Sequence, residues 1–157
     1  MNNSTQNHKP HRYNVHSVYN KSNHVSSDLP VVINLNPRSL YGKENELATI
    51  IEQYNCDICC VSESWERENY TLNDLIQIEH FKIVTNVKQR YGRGGKPAII
   101  ANESKYQIKE LCPSEVTVPV NVEAVWILIH SKNIDPKSPI KNIIICSYYL
   151  CWTSQCL

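Results

Sequence analysis

With 157 residues, the chain is long enough for one domain that buries about 68–70% of its unfolded surface. Sixteen Lys and Arg against fifteen Asp and Glu leave a formal charge of +1, which excludes a whole-molecule pull towards nucleic acid or membrane; any polyanion site must be local. Seven cysteines, an odd number, follow a start, MNNSTQNHKPHRYN, with no apolar core for a signal peptide, and the longest apolar runs fall well short of the roughly 20 residues that span a bilayer. These features predict a soluble, non-secreted chain in a reducing, intracellular compartment, nuclear or cytoplasmic, with no membrane partner.

Residues 1–28 are rich in Asn, Ser and His and nearly lack aliphatic side chains, so a disordered, solvated tail is expected there. Its histidines, with Lys9 and Arg12, read as part of that solvated surface rather than as a metal or phosphate site. From residue 29 the pattern tightens. VVINLN (31–36) is a short β-branched run, hence a buried strand. Over Lys43 to Tyr54, Leu47, Ile50, Ile51 and Tyr54 recur at spacings of three and four, which lays one apolar stripe along a helix. CDICCVSES then gives a second buried strand ending at Glu63. Strand, helix, strand at this length is a β-α-β unit, which brings the carboxyl ends of both strands, and with them Asn36 and Glu63, to one edge.

Further strands are predicted over Phe81 to Val87, Pro97 to Asn102, Tyr106 to Leu111, Val122 to His130 and Lys141 to Tyr149, with a short helix around Asn73 to Ile78. Turn-rich segments such as YGRGGK and NIDPKSP separate them. The fold class is mixed α/β (α+β) and layered, with a second sheet that stops short and leaves an open strand edge, an association hazard. Cys56 and Cys59 form a C-x-x-C beside Cys60, but Cys112, Cys146, Cys151 and Cys156 offer no second ligand pair for zinc, so these cysteines read as small buried hydrophobes.

The ordered set NLNPRSLYGKENELATIIEQYNCDICCVSESW, YGRGGKPAII, VEAVWILI and IIICSYY resembles the opening half of the endonuclease/exonuclease/phosphatase superfamily. It is most similar to the endonuclease domains that precede reverse transcriptase in non-LTR retrotransposons, over about Val32 to Tyr149. The resemblance implies part of a four-layered αββα sandwich of the deoxyribonuclease I-like type over 29–149, with a divergent end at 150–157. It also implies a phosphodiesterase site that uses Mg²⁺ or Mn²⁺ on DNA, the cation held weakly here. Phosphoinositide phosphatase and deadenylase branches are disfavoured, because Arg-Ser-Leu and Gly-Arg-Gly-Gly look more like the retroelement branch.

Hydrolysing a phosphodiester calls for a hard cation on the phosphate oxygens, a base for water, and stabilisation of the leaving oxygen. Glu63 matches the family's metal-ligating carboxylate, and magnesium needs only one or two of these; read alone, it is a solvated carboxylate at a strand end. Asn36 matches a neutral amide that sits against phosphate or a metal-bound water; read alone, Asn before Pro is equally a turn former. Tyr149 matches a phenol that donates to a phosphate oxygen, although Tyr148 beside it suits the same strand end. Arg38 and Arg93 are candidate substrate contacts, the latter also a plain glycine-rich turn residue. Trp65 either stacks on a base or closes the core.

The family's later Asp-x-Asn and Ser-Asp-His groups have no counterpart in these residues, and His80 and His130 are the only histidines after Glu63. The expectation is therefore the metal-carboxylate part of a Mg-dependent endonuclease, inactive alone, with a non-catalytic remnant or nucleic-acid-binding fragment as the alternative.

Overall fold

The computed structural model describes residues 16–17, 29–65, 71–85, 95–119, 122–133 and 140–150. A helix between two parallel strands sets the frame. Strand β2 (Val32–Leu35), helix α1 (Glu44–Gln53) and strand β3 (Ile58–Val61) form the β-α-β unit, with Leu35 opposite Val61. Glu44 and Glu46 place negative charge in the helix's first turn, where the macrodipole favours it, and Glu44 Oε1 accepts from Gly42 N at 2.9 Å. Leu47 and Ile51 are its buried face. The helix stops at Asn55, whose φ of 46° is left-handed. There Cys56 N donates to Ile51 O and Asn55 N to Glu52 O, the paired bonds of a Schellman end.

A two-residue strand, β1 (His16–Ser17), pairs antiparallel with β2; the rest of residues 1–28 lies outside the described residues. Helix α2 (Leu72–Leu75) is one turn closed by a capping box between Thr71 and Asp74. Strands β4 (Phe81–Thr85) and β5 (Ala98–Asn102) complete a five-stranded sheet of order β1-β2-β3-β5-β4, in which only β2 and β3 run parallel. Strands β6 (Tyr106–Glu110), β7 (Val122–Ser131) and β8 (Ile143–Leu150) form a second, antiparallel sheet.

The two central strands explain their unbroken apolar runs. Cys59 and Val61 of β3, and Ala98 and Ile100 of β5, face the helices. Ile58 and Cys60, with Ile99 and Ala101, face Val125, Ile127, Ile129 and Ile145 of the second sheet. A strand covered on both faces has no solvent phase in which to place polar residues. Among the described residues the layers are therefore helix, five-stranded sheet and three-stranded sheet: a mixed α/β fold with two sheets and few helices. No helix among these residues is long and apolar enough to cross a membrane.

The C-x-x-C lies inside this core. Cys56, Cys59 and Cys60 are buried, and burial pushes the Cys56 thiol up to about 11, the Cys60 thiol up to about 12 and the Cys59 thiol well above its ordinary value. Cys112 is exposed. Iodoacetamide at pH 8 is expected to label Cys112 while the three core thiols react at least about a hundredfold more slowly, because only the thiolate attacks. Peptide mapping by mass spectrometry reads this directly; comparable labelling of Cys59 in the folded chain would contradict the packing.

Candidate functional site

Chain direction gathers five segments at one edge of the paired sheets. β2 and β3 end there, so the next residues, Asn36 and Ser62 to Glu63, emerge side by side. β5 runs against β3 and therefore begins there, preceded by Gly95, Lys96 and Pro97. In the second sheet, β7 begins and β8 ends at this edge, with Glu123 opposite Tyr149. Ser147 Oγ ties the sheets together just below, donating to Val61 O at 2.7 Å.

Glu63 is held from two sides. Asn36 Nδ2 donates to Glu63 Oε1 at 2.9 Å, and Trp65 Nε1 donates to Oε2 at 3.1 Å. Both donors are neutral and each takes one lone pair, so the carboxylate is oriented without being paired to a cation, and further lone pairs remain on both oxygens. Asn36 also forms the turn, since its Oδ1 accepts from Arg38 N at 3.2 Å. One amide is thus both a turn former and a donor to Glu63. Trp65 faces neither alternative alone: its ring is half-buried and its N–H positions the carboxylate.

The other side of the edge is joined through the start of β5. Ser64 donates to Lys96 O from its backbone N–H at 3.2 Å and from Oγ at 2.7 Å. Lys96 N in turn donates to Glu123 Oε2 at 2.7 Å. Lys96 itself is buried, at 1% exposure. Gly95 takes φ of +73°, and a Cβ there would lie 2.4 Å from Glu123 Oε2 and 3.2 Å from Tyr149 Cδ1. Only glycine lets backbone approach these two side chains so closely. Tyr149, half-buried on the inner face, therefore belongs to this edge, whereas Tyr148 points out of the second sheet at 63% exposure.

Five of the eight residues with positive φ among those described, Arg38, Ser39, Trp65, Gly95 and Lys96, fall in these segments. Non-glycine residues in this region cost on the order of 1–3 kcal/mol each and persist where surrounding contacts impose them. Here the imposing contacts are the bonds from Ser39 N to Glu63 O and from Leu40 N to Ser64 O, together with the Ser64 and Glu123 bonds to Lys96.

The structure thus brings Asn36, Glu63 and Tyr149 to one edge. Arg38 lies there too, exposed, and Arg93 falls outside the described residues. Glu123 and Lys96 were missed by sequence reasoning. No three His, Cys, Asp or Glu side chains come together as a metal-holding group among the described residues. Glu63 alone suits a cation that keeps most of its water, the habit of magnesium. Compared with models of known protein families and with curated proteins, the sequence finds no match.

Proposed function

We propose that this chain carries the carboxylate edge of a magnesium-dependent endonuclease that hydrolyses phosphodiesters in DNA, built on part of a deoxyribonuclease I-like αββα sandwich of the retroelement type. The observation that carries this reading is the doubly held Glu63, its oxygens fixed by Asn36 and Trp65 at the carboxyl edge of a parallel strand pair, with Tyr149 on the same edge. A hydrated Mg²⁺ or Mn²⁺ bound there would neutralise phosphate charge and polarise the phosphorus.

The chain's own groups divide the remaining work. Glu63 would anchor the cation's water shell through the lone pairs its two donors leave free. Asn36 adds no negative charge, so it sets the carboxylate without competing with an incoming phosphate for the cation. Tyr149 would donate its phenolic proton as a hydrogen bond to a non-bridging oxygen. Arg38, exposed beside them, is placed for a backbone phosphate contact, which positions DNA without reading its sequence.

Trp65 supplies a reporter, because its indole bonds the very carboxylate that would bind the ion. In a chain carrying Trp126→Phe and Trp152→Phe, Trp65 is the sole indole. Phe is suited to position 126, where Nε1 is buried without a hydrogen-bond partner among the described residues. Mn²⁺ is expected to quench Trp65 fluorescence with about millimolar affinity, since one carboxylate leaves the ion mostly hydrated. Adding Glu63→Gln should weaken that affinity at least about tenfold. Identical quenching curves would remove Glu63 as a ligand and the reading with it.

A further inference from the structure

The second sheet is narrower than the first, and the mismatch is confined to one side. β8 packs across β3 and β5, whereas β2 and β1 extend beyond it by two strands, about 10 Å. Beside β8 lies a groove of about 570 Å³, floored by Val32, Asn34, Cys60 and Ser62 and walled by Ile143 to Tyr148. None of these residues is charged, and β8 carries neither proline nor glycine. Among the described residues the far side of β8 pairs with no strand. Natural edges are normally guarded by charge, proline or a bulge, and among the described residues this one has no such guard.

We propose that this edge accepts an extended, uncharged polypeptide strand, which pairs with β8 and lays alternate side chains on Val32, Asn34 and Cys60. The backbone supplies the affinity and the neutral groove supplies the selection, the mode known as β-augmentation. A second copy of this chain is sterically excluded from pairing β8 with β8. A two-fold axis normal to the sheet would keep both five-stranded sheets on the same side, and each overhangs its own β8 by two strands. The two overhangs would then occupy the same volume about 10 Å below the paired strands. What fits is a strand without a layer beneath it.

A synthetic peptide with no charged group, acetyl-Gln-Thr-Val-Thr-Val-Thr-Val-Gln-amide, tests this by amide hydrogen exchange on the full chain. In β8, alternate amides face β7 and are slow in any case; the remaining ones face the open edge. Those edge amides are expected to exchange at least about tenfold more slowly with saturating peptide. The same peptide N-methylated along its pairing edge should give no protection. Asn34→Trp, which fills the floor at an exposed position, should weaken peptide binding at least about tenfold while leaving the free chain's exchange unchanged. Equal protection by the methylated peptide, or none by either, overturns the proposal. So does a dimer in sedimentation whose edge amides are protected without peptide, which would assign the edge to a second copy. Edge amides slow without peptide in a monomer, and released on removing residues 151–157, would assign it to the chain's own tail.

Discussion

Asp57→Ala is expected to destabilise the fold by about 3–4 kcal/mol, lowering the melting temperature by about 10 °C. Asp57 stands at the start of β3, at the edge opposite Glu63, with its side chain only 7% exposed. Its Oδ2 accepts from Val31 N at 2.9 Å, and its Oδ1 from Lys105 Nζ at 2.6 Å. Its backbone adds bonds to Val31 O and from Asn102 N. One residue thus pins the start of β2, the end of β5 and the turn into β6, where the two sheets meet.

Removing the carboxylate strands a backbone donor and the Tyr106 phenol in the core, each an uncompensated loss of about 1–3 kcal/mol. Lys105→Met should cost much less, about 1 kcal/mol, because the lysine side chain is 46% exposed and the pair is screened on that side. The phenol carries a pH signature. Burial, then the Asp57 charge and its hydrogen bond, push Tyr106 up to about 12. A pKa raised in the folded state contributes stability in full below the ordinary value of about 10 and loses it as pH climbs towards 12. Urea melts should therefore weaken above about pH 10, and less so in Asp57→Asn. Equal midpoints for native and Asp57→Ala would refute this role.

The helix, the fully buried run of β3 and the meeting of Asn36 with Glu63 were legible because each rests on local pattern, whereas β2, also expected to be buried, exposes Asn34, and the burial of β5 was not foreseen. The stripe Leu47, Ile50, Ile51 fixes a helical period, and the parallel unit forces both strand ends to one edge. Glu123 was not legible in the same way, because its donor Lys96 and its close neighbour Gly95 lie in the segment that leads into β5 of the other sheet. A signal was present nonetheless. Glu123 shares the strand phase of Val125, Ile127 and Ile129, all buried, and a carboxylate in an inward phase requires a donor. The bond from Trp65 to Glu63 was not legible from stacking and packing alone, because it rests on the indole N–H, which reaches back two residues to the carboxylate. The choice between Tyr148 and Tyr149 needed the register that sets Tyr149 opposite Glu123.

Plasmid DNA is expected to remain un-nicked by the purified 157-residue chain in Mg²⁺. General acid and base groups typically contribute about 10²- to 10⁴-fold each. Phosphodiester hydrolysis needs enhancement near the upper end of the enzymatic range, about 10¹⁷-fold, which one held carboxylate does not approach. The two histidines that follow Glu63 are placed where they cannot help. His80 precedes Phe81, which pairs with Asn102, while the edge bearing Glu63 lies at the Thr85 and Ala98 end of those strands. His130 pairs with Gln107 and stands seven residues along β7 from Glu123, about 23 Å away at roughly 3.3 Å per residue. Its Nδ1 lies 2.6 Å from Lys141 O and is engaged as a donor there. Glu123 is the only other carboxylate joined to the edge among the described residues, and its Oε2 already accepts from Lys96 N. Nicking by the native chain that disappears in Glu63→Gln would overturn the expectation and require a base from outside the described residues. Equal trace nicking by both would identify a contaminating nuclease, because the proposed function places the cation on Glu63 and its loss would then abolish cation-dependent nicking.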